Sequence, residues 1–418
     1  MSISTKTATL RKFIVSKVLV FFMLAGFALS FAAPHAGALG IDLEKIPKVM
    51  NYDKPSEQEF AKASVKVEEA APYGDDLLGY SFYVPKGWTG NLLTNSKDLK
   101  VQEKQDISDV IFSMLGKYIG HAKNLHRSYV TVEGQKLGYE VKALHWFVSQ
   151  ILTNGLSLAA VTEISDKEVE GLYVQIEKDQ SYVVRARAII NGDKLIVIRH
   201  YLPQENYEED VVEQAKIISS FKLLKKSNDT IEKHVEFGFL DQSYFDYPAS
   251  WRLKEKPILT VERMSALLYQ EKMQREQLVL EGHVRVNAIS RLLRTSLAKE
   301  VKDFKESLDI PKYSIGKLIE KISFKRDLSI SMQQTEIYEL LPDDKVNMRP
   351  YELLVSVMQS DDYYYILSMI SPSRDHDFFG WAKNREVAKI MIESMRRYKV
   401  GQIVDPSDPY YDYLKEAK

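Results

Sequence analysis

The 418-residue chain contains no cysteine. Disulfides, thiolate metal sites and cysteine nucleophiles are therefore excluded in any compartment. A lipid-modified cysteine anchor is excluded with them. Histidine is sparse at eight residues, and no H-E-x-x-H sets two imidazoles and a base on one helical face. There is no G-x-S-x-G elbow. Gly87 and Gly90 flank Trp88-Thr89, yet no nucleotide-binding fingerprint follows them. Charge of one sign is also lacking, with Lys+Arg at 57 and Asp+Glu at 58. Such a surface offers no broad attraction for nucleic acid or anionic lipid. After the first 38 residues no run approaches 18 apolar residues, so no span is expected in the body of the chain.

What is present begins with an address. Lys6, Arg11, Lys12 and Lys17 form a basic leader without an acidic residue. An apolar run over 18–33 is broken only by Gly26 and Ser30, and Ala36-Gly37-Ala38 fits a small-residue cleavage site. Residues 1–38 therefore read as a signal peptide, with the mature protein starting at Leu39 in the periplasm. Secretion, or an inner-membrane anchor formed by an uncleaved leader, are the competing readings. Loss of the four leader charges takes the formal net charge from −1 to −5. The remaining ~380 residues suggest two or three domains.

The body carries a divergent internal repeat. Gly79-Tyr-Ser-Phe-Tyr-Val-Pro-Lys-Gly-Trp88 is matched by Gln242-Ser-Tyr-Phe-Asp-Tyr-Pro-Ala-Ser-Trp251. Phe82, Val84 and Trp88 align with Phe245, Tyr247 and Trp251. Alternating bulky residues predict a half-buried strand, which proline ends because it has no amide hydrogen. Both copies close alike. Strands at 180–190 and 194–201 are joined at Asn191-Gly192, a hairpin signal. Strands at 351–358 and 363–370 are joined at Ser360-Asp361-Asp362. Pro203 and Pro372 stop the second strands, and helices follow at 209–221 and 384–398. In the middles, apolar spacing predicts helices at 107–120 and 292–304. Strands are expected at 138–147, 156–164 and 278–289.

The organisation expected is an extended arm at 39–69, a first domain at 70–224, a linker at 225–233, a second domain at 234–400 and a tyrosine-rich tail at 401–418. The fold class is α+β, with tandem alpha-beta-alpha sandwich modules built on antiparallel sheets. The phrase Tyr80-Ser-Phe-Tyr-Val-Pro-Lys-Gly-Trp88, the late hairpin and a closing helix ending in Ser219-Ser220-Phe221 resemble the Mog1/PsbP-like fold family. The second copy resembles it less, having Ala249-Ser250 before its tryptophan and an enlarged middle. The resemblance implies partner binding or assembly support, without a shared catalytic set.

No residue cluster names a reaction. Arg374-Asp375-His376-Asp377 is the densest group of catalytic residue types, but adjacency supplies no geometry, and Asp377 suits a helix cap. In Tyr363-Tyr364-Tyr365, alternation sends Tyr364 to the face opposite its neighbours. The partner-binding candidates are thus Trp88, Trp251, Tyr364, Arg374, Asp375, His376 and Asp377. No catalytic residue, metal or cofactor is assigned. The expectation is an exported noncatalytic protein that binds an envelope protein partner. A periplasmic hydrolase or small-ligand-binding protein is the alternative; it needs His121, His126, His145 or His200 to meet carboxylates in a pocket. An oligomer of repeating modules is the third reading.

Overall fold

Period-two apolar alternation dominates the body, and strands accordingly form most of it. The computed structural model describes residues 43–91, 113–254, 258–274, 277–307, 312–343 and 349–397. Residues from 41 onward cluster as one unit. The first half runs α1 (Glu57–Ala63), β1 (Ser64–Glu69), β2 (Tyr80–Pro85), β3 (Thr89–Asn91), β4 (Ser113–Lys123), β5 (His126–Lys136), α2 (Ala143–Thr153), β6 (Ser157–Ser165), β7 (Glu168–Glu177), β8 (Gln180–Asn191), β9 (Lys194–Pro203), α3 (Tyr207–Ser219) and β10 (Lys222–Leu223). The second runs β11 (His234–Phe239), β12 (Ser243–Pro248), β13 (Arg252–Leu253), β14 (Ile258–Leu259), β15 (Arg263–Gln274), β16 (Gln277–Ser290), α4 (Leu297–Ser307), β17 (Tyr313–Ile322), β18 (Met332–Pro342), β19 (Tyr351–Gln359), β20 (Tyr363–Pro372) and α5 (Phe378–Glu393).

The two large sheets share one strand order. The first is β3-β4-β5-β9-β8-β7-β6; the second is β13-β15-β16-β20-β19-β18-β17, with β14 also pairing β15. Every neighbouring pair is antiparallel. Counting from the central hairpins aligns Lys194 with Tyr363, and hence His200 with Met369. The ladders then agree, because Val130 pairs with His200 and Val284 with Met369. The α+β class with two helix-flanked antiparallel sheets is thus observed.

Each sheet is apolar on both faces, so each needs two covers. In the first half, α2 brings Trp146, Phe147 and Ile151 to one face. Ile217 and Ile218 of α3, with Tyr80 and Phe82 of β2, cover the other. In the second half, Val387 and Met391 of α5 and Phe245 of β12 cover one face. Phe304 of α4 lies on the other. The closing helices are tied down alike. Ser220 Oγ accepts from the Tyr83 amide at 3.0 Å, and Ser394 Oγ accepts from the Asp246 amide at 2.8 Å.

Several expectations are corrected. From Ser113 the helix expected over 107–120 is strand β4; residues 107–112 lie outside those described. The reason is close approach. Rings reach the backbone at two glycines, where a Cβ on Gly116 would stand 2.5 Å from Tyr80 Oη and one on Gly120 3.0 Å from the Trp88 ring. The strand expected over 138–147 is replaced by α2, whose buried Ala143, Phe147 and Ile151 recur every four residues. The helix expected from 292 begins at Leu297, because Arg294 is left-handed at φ 54°. The central hairpin turns at Gly192-Asp193 and not at Asn191-Gly192. Asn191 pairs with Lys194 in the ladder, and Gly192 takes φ 62°. The expected arm is tied to the first half: the Val49 amide donates to Thr162 Oγ1 at 2.9 Å and the Pro47 carbonyl accepts from the Val161 amide at 2.8 Å. A Ser56–Glu59 capping box starts α1, and β1 pairs with β2 along its length. Strands β1, β3, β5, β7, β10, β11, β13, β14, β15, β17 and β18 form where no strand is expected. The tail at 401–418 and the leader at 1–38 lie outside the described residues.

Phe82 and Phe245 occupy matching core positions at 1% and 0% exposure. Each Phe→Ala change should cost about 3–5 kcal/mol in urea unfolding. A loss below about 1 kcal/mol at either position would show that its core strand is not an anchor.

Candidate functional site

The sequence candidates fall into different environments. Trp251 is a core residue at 3% exposure, and a Cβ on Gly282 would lie 2.5 Å from its ring. Trp88 is half-buried and sits edge-on to His200 at 5.6 Å. Tyr363 and Tyr365 are buried, whereas Tyr364 is half-buried on the opposite face with Arg291 over its ring at 5.5 Å. Arg374 is tied into the protein. Asp375, His376 and Asp377 are exposed, and Asp377 caps α5 by accepting from the Gly380 amide at 2.8 Å.

Arg374 lies in a connected polar cluster of the second half. Glu352 on β19 is 4% exposed, so its charge requires partners. Its Oε1 accepts from the Arg374 amide and Nε, both at 3.0 Å. Its Oε2 accepts from Arg374 Nη2 at 3.2 Å and Trp381 Nε1 at 3.0 Å. Glu320 on β17 binds Arg385 bidentately at 3.0 and 3.1 Å and accepts from Arg374 at 3.1 Å. The two guanidinium groups lie 4.7 and 5.1 Å from the centre of the Trp381 ring. Burial raises the Glu320 pKa, but Arg385 and Arg374 outweigh it and hold the carboxyl below its ordinary range. Glu320 therefore serves as an ionised clamp on both arginines, and Glu352 anchors Arg374 and Trp381 through its hydrogen bonds. A cleft of about 20 Å³ opens beside Glu352, Leu354, Met369 and Trp381. That is room for about one water.

The cluster adjoins the junction of the two halves. His145 on α2 packs edge-on to Trp381 at 5.4 Å and to Phe378 at 5.8 Å. Tyr139 meets Phe379 edge-on at 5.2 Å. Lys142 and Lys389 converge on Asp166 at 2.8 and 2.7 Å. Burial opposes the charge of Asp166, yet the two lysines hold its pKa at about 2. His234 of β11 meets Glu140 at 3.0 Å.

The histidines named for a pocket do not converge. His126 pairs with Glu205 at 3.4 Å on the surface, and His121 is exposed beside Gly87. His200 is 1% exposed, and among the described residues neither ring nitrogen has a hydrogen-bond partner. Among the described residues no group of three His, Asp or Glu side chains is placed to hold a metal. No helix among them is long and apolar enough to cross a membrane.

Sequence reasoning missed Glu320, Glu352, Trp381 and Arg385. Glu352 had a readable signal: a lone carboxylate within the apolar run Tyr351-Glu-Leu-Leu-Val355 demands a buried partner. Trp381 and Arg385 are spaced i, i+4 on one helical face. Nothing local placed Glu320 opposite them.

No protein-family profile matches the chain, and no curated protein matches it. Solved structures show weak likeness. A cyanobacterial PsbP (CyanoP) from Synechocystis gives TM-score 0.27 at 13% identity, over 38% of this chain and 93% of that one. A Bacteroides thetaiotaomicron protein gives 0.25 at 13% identity, over 44% of this chain and 56% of that one. The T6SS immunity protein TplEi of Pseudomonas aeruginosa gives 0.19 at 9% identity, over 79% and 97%. The similarity to the PsbP-like fold is partial, and scores this low carry no argument about function.

Glu352→Ala removes the acceptor of the Arg374 amide, of Arg374 Nε and of the buried Trp381 N–H, and leaves Arg374 with Glu320 alone. It should cost about 3–5 kcal/mol in urea unfolding. A change within about 0.5 kcal/mol would show that the clamp contributes nothing.

Burial pushes His200 down to about 3. Burial, then Arg385 and Lys142, do the same to His145. The unfolded chain binds more protons at these sites between pH 3 and the ordinary histidine value of about 6.5. Their contribution to stability is complete above that value and is lost as pH falls towards 3. His234, raised through its hydrogen bond to Glu140, acts in the opposite sense. The urea midpoint should therefore drop between pH 7 and pH 5. His200→Met, which installs the residue found at matching position 369, should shrink the drop; an undiminished drop would remove His200 as a cause.

Proposed function

We propose that this protein is an exported, noncatalytic binding protein of the bacterial cell envelope. Its two halves are divergent copies of one PsbP-like unit, and its partner is an envelope protein. The observation that carries the reading is the rigid presentation of Asp375-His376. Arg374, one residue before them, is fixed by two carboxylates and stacked on Trp381. Asp377, one residue after, is fixed as the cap of α5. The exposed pair between these anchors loses little conformational freedom on binding, which favours recognition by a folded partner. The loop also lies beside the aromatic junction of the halves, where Phe378 and Phe379 are half-buried. Aromatic side chains next to a charged rim suit a protein interface.

The leader supports a periplasmic address for the mature chain. Amino-terminal sequencing of protein from the native host should begin at Leu39. Membrane-bound protein that keeps residues 1–38 would overturn that address.

Gentle pull-down from envelope extracts should recover one partner reproducibly. The double variant Asp375→Ala/His376→Ala should weaken recovery at least ten-fold with an unchanged melting temperature. Equal recovery by the variant would remove this loop from the interface. Failure to recover any partner across solubilisation conditions would count against the binding reading itself.

A further inference from the structure

The first half shows what a chain leaving a closing helix can cover. After α3 and β10 the backbone crosses the Gly192-Asp193 turn. Asn191 holds it there, donating from Nδ2 to the Lys225 carbonyl at 2.9 Å and accepting from the Ser227 amide at 2.6 Å. The chain then reaches the α2 face of the sheet. Ile231 is buried there in the same cluster as Leu195, which is 0% exposed.

The same place in the second half is less covered among the described residues. The hairpin alignment makes Tyr364 the counterpart of Leu195, yet Tyr364 is only half-buried. Leu293 and Val357 are half-buried with it on the α4 face. Leu292, at the same end of the sheet, is 88% exposed. A large apolar side chain so fully exposed beside other incompletely covered ones marks a surface that takes a partner.

The chain leaves the second closing helix next to this surface. The Arg397 amide donates to Ser329 Oγ at 3.0 Å, and its guanidinium pairs with Asp362 of the hairpin turn at 2.9 Å. Residues 398–418 follow, enough chain to extend up to about 70 Å. They contain Ile403, Val404, Tyr410, Tyr411, Tyr413 and Leu414. They also hold four acidic residues against three lysines, while Arg291 and Arg294 flank Leu292.

We propose that residues 398–418 cross the hairpin turn of the second half and dock on the α4 face, over Leu292, Leu293, Val357 and Tyr364. The tail takes the role that residues 224–231 play in the first half. Tethering at Arg397 gives it a high effective concentration at this surface, which a free partner must exceed. Tyrosines supply contact area with few rotamers to freeze, and the acidic residues meet the arginine rim. The proposal is independent of the partner-binding reading, because it uses the opposite face of the second sheet from α5 and its cap.

Hydrogen–deuterium exchange on the full-length mature protein tests it. Amides across 403–414 should exchange at least ten-fold more slowly than in a free peptide of the same sequence. Leu292→Asp, at a surface position that leaves the core intact, should return them towards the peptide rate. The tail variant Tyr410→Ser/Tyr411→Ser/Tyr413→Ser should do the same. Peptide-like exchange in the wild type would overturn the proposal. Protection that survives both variants would overturn it too. Protection lost on hundred-fold dilution would assign the surface to a second copy of the chain instead.

Discussion

A sheet with two apolar faces must find two covers, and this requirement organises the whole molecule. Central strands such as β8, β9, β19 and β20 are buried along most of their length. One helix per sheet is too narrow to shield both faces. Each half therefore inserts one helix midway through its large sheet, α2 after β5 and α4 after β16, and places another after the last strand. A small two- or three-stranded sheet joins the closing helix. The serine clamps at Ser220 and Ser394 fix that small sheet to its helix in both halves.

The halves solve the same problem with different chemistry. At the position where the first has buried His200, the second has Met369. The second concentrates its charge where α5 crosses the sheet, with Glu320 and Glu352 neutralised by Arg374 and Arg385. Ion pairs of this kind contribute little net stability, because desolvation offsets much of the attraction. Their effect is on geometry: a carboxylate with four donors around it permits one arrangement of the loop at 373–377. That arrangement also sets Trp381 and Phe378 against His145 of the first half, so the loop and the junction are positioned together.

Much of the fold was readable because its signals are local. The proline-terminated aromatic strands, both central hairpins and both closing helices follow from alternation, turn residues and helical spacing within about a dozen residues. The errors came where local spacing was ambiguous. Residues 113–120 carry apolar side chains at helical intervals, yet the rings of Tyr80 and Trp88, distant in sequence, press on Gly116 and Gly120 and keep the segment extended. Residues 143–147 are rich in strand-forming aromatics, yet Phe147 fits against Gly171 of a strand that had not been foreseen. Of the candidate residues, Arg374 was visible as a charge in a loop. Its two carboxylate partners were not, because they stand on strands 22 and 54 residues away.

The amino-acid sequence by itself determined the basic and then apolar character of residues 1–33, the exclusion of all thiol chemistry and the strand–hairpin–helix pattern that closes each half. These depend on composition and on neighbours along the chain. Tertiary structure alone decided that the two sheets share one strand order, that Trp251 is core while Asp375 and His376 face solvent, and that α2 and α5 bring His145 to Trp381. Those outcomes depend on which surfaces meet after the chain has closed loops of tens to hundreds of residues. The energy that selects them is burial and pairing between distant groups, which no local pattern encodes.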